Sequence, residues 1–166
     1  MRKKKVLKTN AMRKLDQLHI AYAVHEYTWS EDHLDVKHIL KQMEKSGRSV
    51  YITIVTVGDR TGITVAVIPA DKKISLKEFA RISGNKSIHL LPFEELEDET
   101  GYIRGGCSPI GMKKQYLTYF SSHIKDNQSI LVSAGKRGVQ IQLESQKLVE
   151  ITNGALGDFT VPDEKE

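Results

Sequence analysis

The amino-acid sequence predicts an α+β domain built on a substantially antiparallel sheet. Three observations carry that expectation. Runs with strand character outnumber helical ones, at Val50–Val57, Ile63–Pro69, Tyr116–Phe120, Ser129–Ser133 and Val139–Leu143. Two pairs of these runs are joined by short glycine-bounded turns, Gly58–Gly62 and Ala134–Gly138, as hairpins are. Short amphipathic segments are interspersed among the strands. The 166 residues, 39% hydrophobic and 28% charged, suffice for one sizeable core. No repeat, linker or low-complexity block argues for a second domain.

Taken in order, Asn10 to Leu18 reads as a helix capped by Thr9 or Asn10, with Met12, Leu15 and Leu18 on one face. Ala21 to Tyr27 alternates as a strand. The aromatics that follow, Tyr27 and Trp29, read as core on the residues alone. His33 to Glu44 is the clearest amphipathic helix, with Val36, Ile39, Leu40 and Met43 on one stripe and Ser46-Gly47 as its stop. After the first hairpin, Ser75-Leu-Lys-Glu78 is a capping box that opens a helix with Leu76, Phe79 and Ala80 inward, closed by Gly84. Ile88 to Leu91 is a brief strand. Pro92 to Leu96 starts a helical turn, and its acidic run Glu94 to Glu99 reads as a solvated face. Ser145 to Thr152 is the last helix, and a polar tail follows Val161.

Charge and composition narrow the function classes. The net charge of +4 is concentrated in Arg2–Lys5, Lys113-Lys114 and Lys136-Arg137, which favours an anionic partner. No apolar run approaches the ~20 residues that span a bilayer, and the basic N-terminus leads into no apolar segment of a secretory signal. One cysteine forms no internal disulfide, and the six histidines lack metal-site spacing, so a cytoplasmic protein without a metal site is expected.

The densest chemical signal lies in Gly101 to Lys114, read with Thr100 as TGYIRGGCSPIGMKK. Gly105, Gly106 and Gly111 permit positive φ or close backbone approach. Ser108 and nearby peptide N–H groups suit phosphate, ribose or carbonyl oxygens, and Lys113 and Lys114 add positive charge. Neither Ser108 nor Ser133 sits in a nucleophile elbow, and neither has a histidine beside it in sequence. Cys107 stands alone in a turn. These residues suit holding a substrate better than attacking one.

The order GGCSPIGMKK is similar to the GGxSPxGxKK signature of the YbaK/EbsC family, free-standing editing proteins that deacylate Cys-tRNA(Pro). Val132 to Gly138, VSAGKRG, resembles that family's VSGGKRG turn. KTNAMRKLD, His25-x-Tyr27 and Val50-Tyr51 also match, so the resemblance spans roughly Thr9 to Leu156. It implies a mixed, largely antiparallel, barrel-like sheet flanked by helices, with an editing domain over 9–156, a basic tail over 1–8 and a C-terminal tail over 157–166. It also implies a tRNA substrate, prolyl-tRNA synthetase as partner and no organic cofactor. By position, Gly105 and Ser133 would serve catalysis at the ester. Tyr27, Gly106, Ser108, Pro109, Gly111, Lys113, Gly135, Lys136 and Arg137 would bind substrate. Two positions depart from the family pattern: Ile52 stands where it has a lysine, and Gln140 where it has an aspartate. Three readings therefore stay open: an editing deacylase that releases the amino acid, a non-catalytic binder of aminoacyl-tRNA or nucleotide, and a structural interaction protein without a nucleic-acid ligand.

Overall fold

The computed structural model of the chain describes residues 8–29 and 49–163. Its strands are β1 (Ala23–Glu26), β2 (Ser49–Gly58), β3 (Gly62–Pro69), β4 (Lys72–Ile74), β5 (Ile88–Leu90), β6 (Leu117–Ser121), β7 (Ser129–Lys136), β8 (Val139–Glu144), β9 (Ala155–Gly157) and β10 (Thr160–Pro162). Its α-helices are α1 (Asn10–Gln17), α2 (Leu76–Ser83), α3 (Phe93–Thr100) and α4 (Ser145–Ile151). The predicted helix His33 to Glu44 lies outside the described residues.

Local chemistry starts and stops the helices as the sequence suggests, with one amendment. The Thr9 hydroxyl accepts the Met12 N–H at 3.2 Å and so caps α1. Ser75 accepts the Glu78 N–H at 3.3 Å, but the Glu78 carboxylate pairs with Arg81 and does not reach back. The Ser75 N–H bonds the Phe159 carbonyl instead, so only half of the capping box forms. Gly84, at φ +82°, ends α2 in the left-handed conformation that a Cβ disfavours.

The main sheet runs β1-β8-β7-β2-β3-β6-β9, mixing antiparallel hairpins with parallel pairs. β2 and β3 pair along eight positions from Tyr51–Pro69 to Gly58–Gly62, as the alternation and the glycine turn predict. The largest apolar cluster joins Met12 and Leu15 of α1 to Tyr51, Val65, Phe120, Ile130, Ile141 and Leu148. Leu18, expected on that face, is exposed one turn beyond α1's buried residues. A second apolar cluster packs Phe79 of α2 on Ala66, Ile68 and Phe159.

The C-terminal tail expected from residue 157 is tied down as far as 162. β9 adds to β6, β10 pairs with β4, and Phe159 between them is 1% exposed. Burying an aromatic ring of that size offsets the entropy of ordering a short segment.

Candidate active site

The site arises from a break in pairing along one flank of β2. β3 covers the other flank throughout. On this flank β7 pairs only with Ser49 and Val50, and β5 only with Thr56 to Gly58. Among the described residues, those between them lack a strand neighbour there. Hydrogen-bond parity settles which peptides face the opening: Val50 accepts from Ala70 on the β3 side, and Val55 accepts from Leu91 on the other. Alternation then turns the N–H and C=O of Thr53 into the opening.

A cavity of about 480 Å³ fills this opening. Ile52, Ile54, Val55, Leu91 and Leu96 make most of its wall apolar, and the Arg104–Cys107 part of the glycine-rich loop lies across it. Few polar groups converge there, as in most small-molecule sites. Ser133 and Gln140 line it as cross-strand partners of β7 and β8, so their side chains leave the sheet on the same face. A bulge brings them together. Lys136 pairs with Val139, and an unbroken ladder would then set Ser133 opposite Gln142; the extra residues Ala134 and Gly135 shift it to Gln140. Gly135 is needed for this, because it sits at φ +95° and an added Cβ would lie 2.6 Å from the Tyr102 ring.

Two of the lining residues carry a buried side-chain oxygen without a hydrogen-bond partner. Gln140 is 4% exposed, and neither its Oε1 nor the Thr53 hydroxyl forms a hydrogen bond within the protein. A buried polar atom left in this state costs roughly 1–3 kcal/mol. Ser133 Oγ accepts the Gly135 N–H at 3.2 Å and keeps its own proton available to donate. Burial pushes the Cys107 thiol up to about 12, against a smaller opposing effect of its hydrogen bond with Thr100. At neutral pH the group is a protonated thiol and a poor nucleophile.

The structure divides the residues that the sequence singled out. Gly105, Ser133, Ile52 and Gln140 share the cavity wall. Gly106 lies behind it: its N–H bonds the Ile103 carbonyl at 2.9 Å, and an added Cβ would stand 3.1 Å from the Arg137 backbone nitrogen. The two sequence motifs therefore touch through this glycine. Tyr27 packs beneath Ile52 with Val50, Ala70 and Leu131, outside the cavity lining.

Others serve the scaffold. Ser108 is 0% exposed and accepts the Ile110 N–H, which leaves it no access to a phosphate. Pro109 and Gly111 line a different cavity of about 180 Å³ together with Lys14 and Lys114. Lys113 donates to the Asp98 carbonyl at 3.1 Å near the end of α3 and does not line the larger cavity. Lys136 is exposed at the bulge, and Arg137 donates from Nε to the Arg104 carbonyl at 2.8 Å. Sequence reasoning missed Thr53, Arg104 and Phe93, all of which line the cavity. Arg104, set directly before Gly105, was the one with a visible signal.

A profile of the aminoacyl-tRNA editing domain matches residues 31–151. The chain belongs to that family. The editing domain is 45% identical over 159 residues to EbsC of Enterococcus faecalis, named as a candidate Cys-tRNA(Pro)/Cys-tRNA(Cys) deacylase, with 96% of this chain and 97% of that one covered. Among solved structures, that of hypothetical protein APE2540 superposes with a TM-score of 0.81 at 16% identity, over 92% of this chain and 100% of the other. A candidate trans-editing enzyme for prolyl-tRNA synthetase superposes at 0.77 with 17% identity, covering 94% and 99%. At such identities these two report a shared fold: a single α+β domain with a mixed sheet.

Proposed function

We propose that this editing domain acts in trans on mischarged tRNA, releasing cysteine from Cys-tRNA(Pro) by a reaction in which the substrate supplies the nucleophile. The observation that carries this reading is the company Gly105, Ser133 and Gln140 keep. They line an apolar cavity with several polar atoms to orient a ligand, while its one thiol, Cys107, is held protonated. Such a cavity positions an ester better than it attacks one.

In the proposed step the cysteinyl sulfur attacks its own ester carbonyl carbon. The S–C bond forms, the C–O bond to the terminal ribose breaks, and the thiol's proton ends on the ribose oxygen. The products are a four-membered thiolactone and free tRNA. The protein contributes proximity and orientation. The Thr53 N–H, turned into the opening, is the donor for the developing oxyanion. Gly106, which sequence position suggested for contact with the aminoacyl end, has its N–H committed to Ile103. Gln140 Oε1 and the Thr53 hydroxyl accept from the substrate ammonium, and Ser133 donates to an ester oxygen. Prolyl-tRNA synthetase is the partner this reading implies, and the cytoplasm the compartment.

The experiment is single-turnover release from Cys-tRNA(Pro) and Ala-tRNA(Pro) by the wild type and by Ile52→Lys. Rapid release of cysteine and none of alanine by the wild type is expected, since alanine carries no thiol. Equal release of both would end the substrate-assisted step. Ile52, an alkyl wall that offsets no developing charge, is the one feature in line with a domain that binds but does not turn over, and the 45% identity to a relative named as a candidate deacylase speaks against that alternative. Silence of the wild type with release by Ile52→Lys would establish that alternative.

A further inference from the structure

At the cavity rim and beyond it two aromatic side chains stand partly in solvent, each with a guanidinium over its ring. Phe93, the first residue of α3, is 59% exposed and lies at the rim, with the Arg104 guanidinium carbon 4.4 Å from its ring centre. Trp29 is 39% exposed, with the Arg137 guanidinium 5.3 Å from its ring. The pairs are joined, because Arg137 Nε donates to the Arg104 carbonyl. Gly138 leaves the space for the indole, since a Cβ there would stand 2.7 Å from Trp29 Cδ1.

Single exposed aromatics are ordinary on a protein surface, but two rings each covered by a guanidinium, with the guanidinium residues bonded to each other, make a composite surface. A phenylalanine ring exposed at the start of a helix contributes little to the core, whereas Leu96 on the same helix is 7% exposed. An arginine plane on an aromatic face presents a flat, positively charged surface. Unpaired nucleotides bind such surfaces without sequence readout: bases stack on the rings and phosphates meet the cations. The exposed Lys136 adds charge beside Arg137.

We propose that the linked pairs Phe93–Arg104 and Trp29–Arg137 form a stacking track for the unpaired 3′ nucleotides of the aminoacyl-tRNA. The inference rests on the substrate reading above and extends it from the ester to the nucleic acid. Phe93–Arg104, at the rim, takes the terminal base, whose ribose then hangs over the cavity. Trp29–Arg137 takes a preceding base. The track requires no particular base, so selectivity is left to the amino acid in the cavity.

The test uses the full chain and the RNA trinucleotide ending in CCA, with 2-aminopurine in place of the terminal adenine, whose fluorescence falls when it stacks. Saturable quenching is expected, weakened about tenfold by Phe93→Ala, restored by Phe93→Trp, and weakened less by Trp29→Ala. Circular dichroism of each variant reports that it is folded. Wild-type affinity in Phe93→Ala, or no saturable quenching by the wild type, would overturn the track. Cysteine release from Cys-tRNA(Pro), measured in parallel, keeps the two proposals apart. Release with affinity unaltered by Phe93→Ala removes the track and leaves the deacylase. Binding that depends on Phe93 in a protein that releases nothing keeps the track and removes the deacylase.

Discussion

The two halves of one glycine-rich segment do different work. Arg104, Gly105 and Cys107 line the candidate-site cavity, with Gly105 at φ +84°. Residues 108–113 face the other way, where Ser108 closes a turn on Ile110, Gly111 presses on α1 and Lys113 holds the end of α3. Both halves need glycine, and for separate reasons. At Gly105 the backbone itself is part of the wall. At Gly111 an added Cβ would stand 2.9 Å from the Asn10 carbonyl carbon, so the glycine lets a helix sit down. A motif conserves neither meaning in its letters, and only packing tells a binding glycine from a spacing one.

That contrast is open to direct attack. The largest expected effects come from the glycines themselves. Gly111→Ala, strained at φ +75° and pressed against α1, should lower stability by about 3 kcal/mol, seen as a melting temperature depressed by several degrees. Gly105→Ala should instead remain folded by circular dichroism and slow cysteine release about 10²-fold, because an added methyl on the wall displaces the bound ester. A Gly105→Ala protein that is merely less stable, with its rate intact, would erase the distinction.

The two serines sharpen it at a smaller scale. Ser133→Ala should reduce single-turnover release about tenfold, because a hydrogen bond to the substrate is lost. Ser108→Ala should cost about 1 kcal/mol in chemical denaturation and leave the rate of release near that of the wild type. Reversal of that pattern would put the ligand on the wrong side of the loop.

Cys107, at the junction, gives the mildest prediction. Its folded thiol titrates near 12 against an ordinary value of 9.0, so the unfolded chain loses the proton first. The stability this contributes is fully present below pH 9 and is lost as pH rises toward 12. Thermal melts between pH 7 and pH 11 should therefore fall less steeply for Cys107→Ala than for the wild type. Parallel curves would mean that the thiol is more open to water than its surroundings indicate.

Much of this molecule was legible before any coordinates. Period-two alternation and β-branched side chains mark β2, β3, β7 and β8. Thr9, Ser75 and Gly84 mark helix ends, because capping is a contact between near neighbours in sequence. The motif similarity named Gly105, Ser133, Ile52 and Gln140, which do share one cavity. The exposure of Trp29 beside a buried Tyr27 was not readable, since two aromatics at a strand end satisfy the same pattern whichever of them is covered.

Local sequence determined the elements, their caps and the residues to watch, since those depend on interactions within a turn or a hairpin. Tertiary structure alone decided where the site would be. The cavity exists because β7 and β5 meet β2 at its two ends and leave Thr53 between them, and no local periodicity encodes that break. The same long-range packing turned Ser108 and Lys113 into scaffold and placed Phe93 on the rim. Pairing partners distant in the chain are chosen by the fit of whole faces, and that choice appears only when the faces meet.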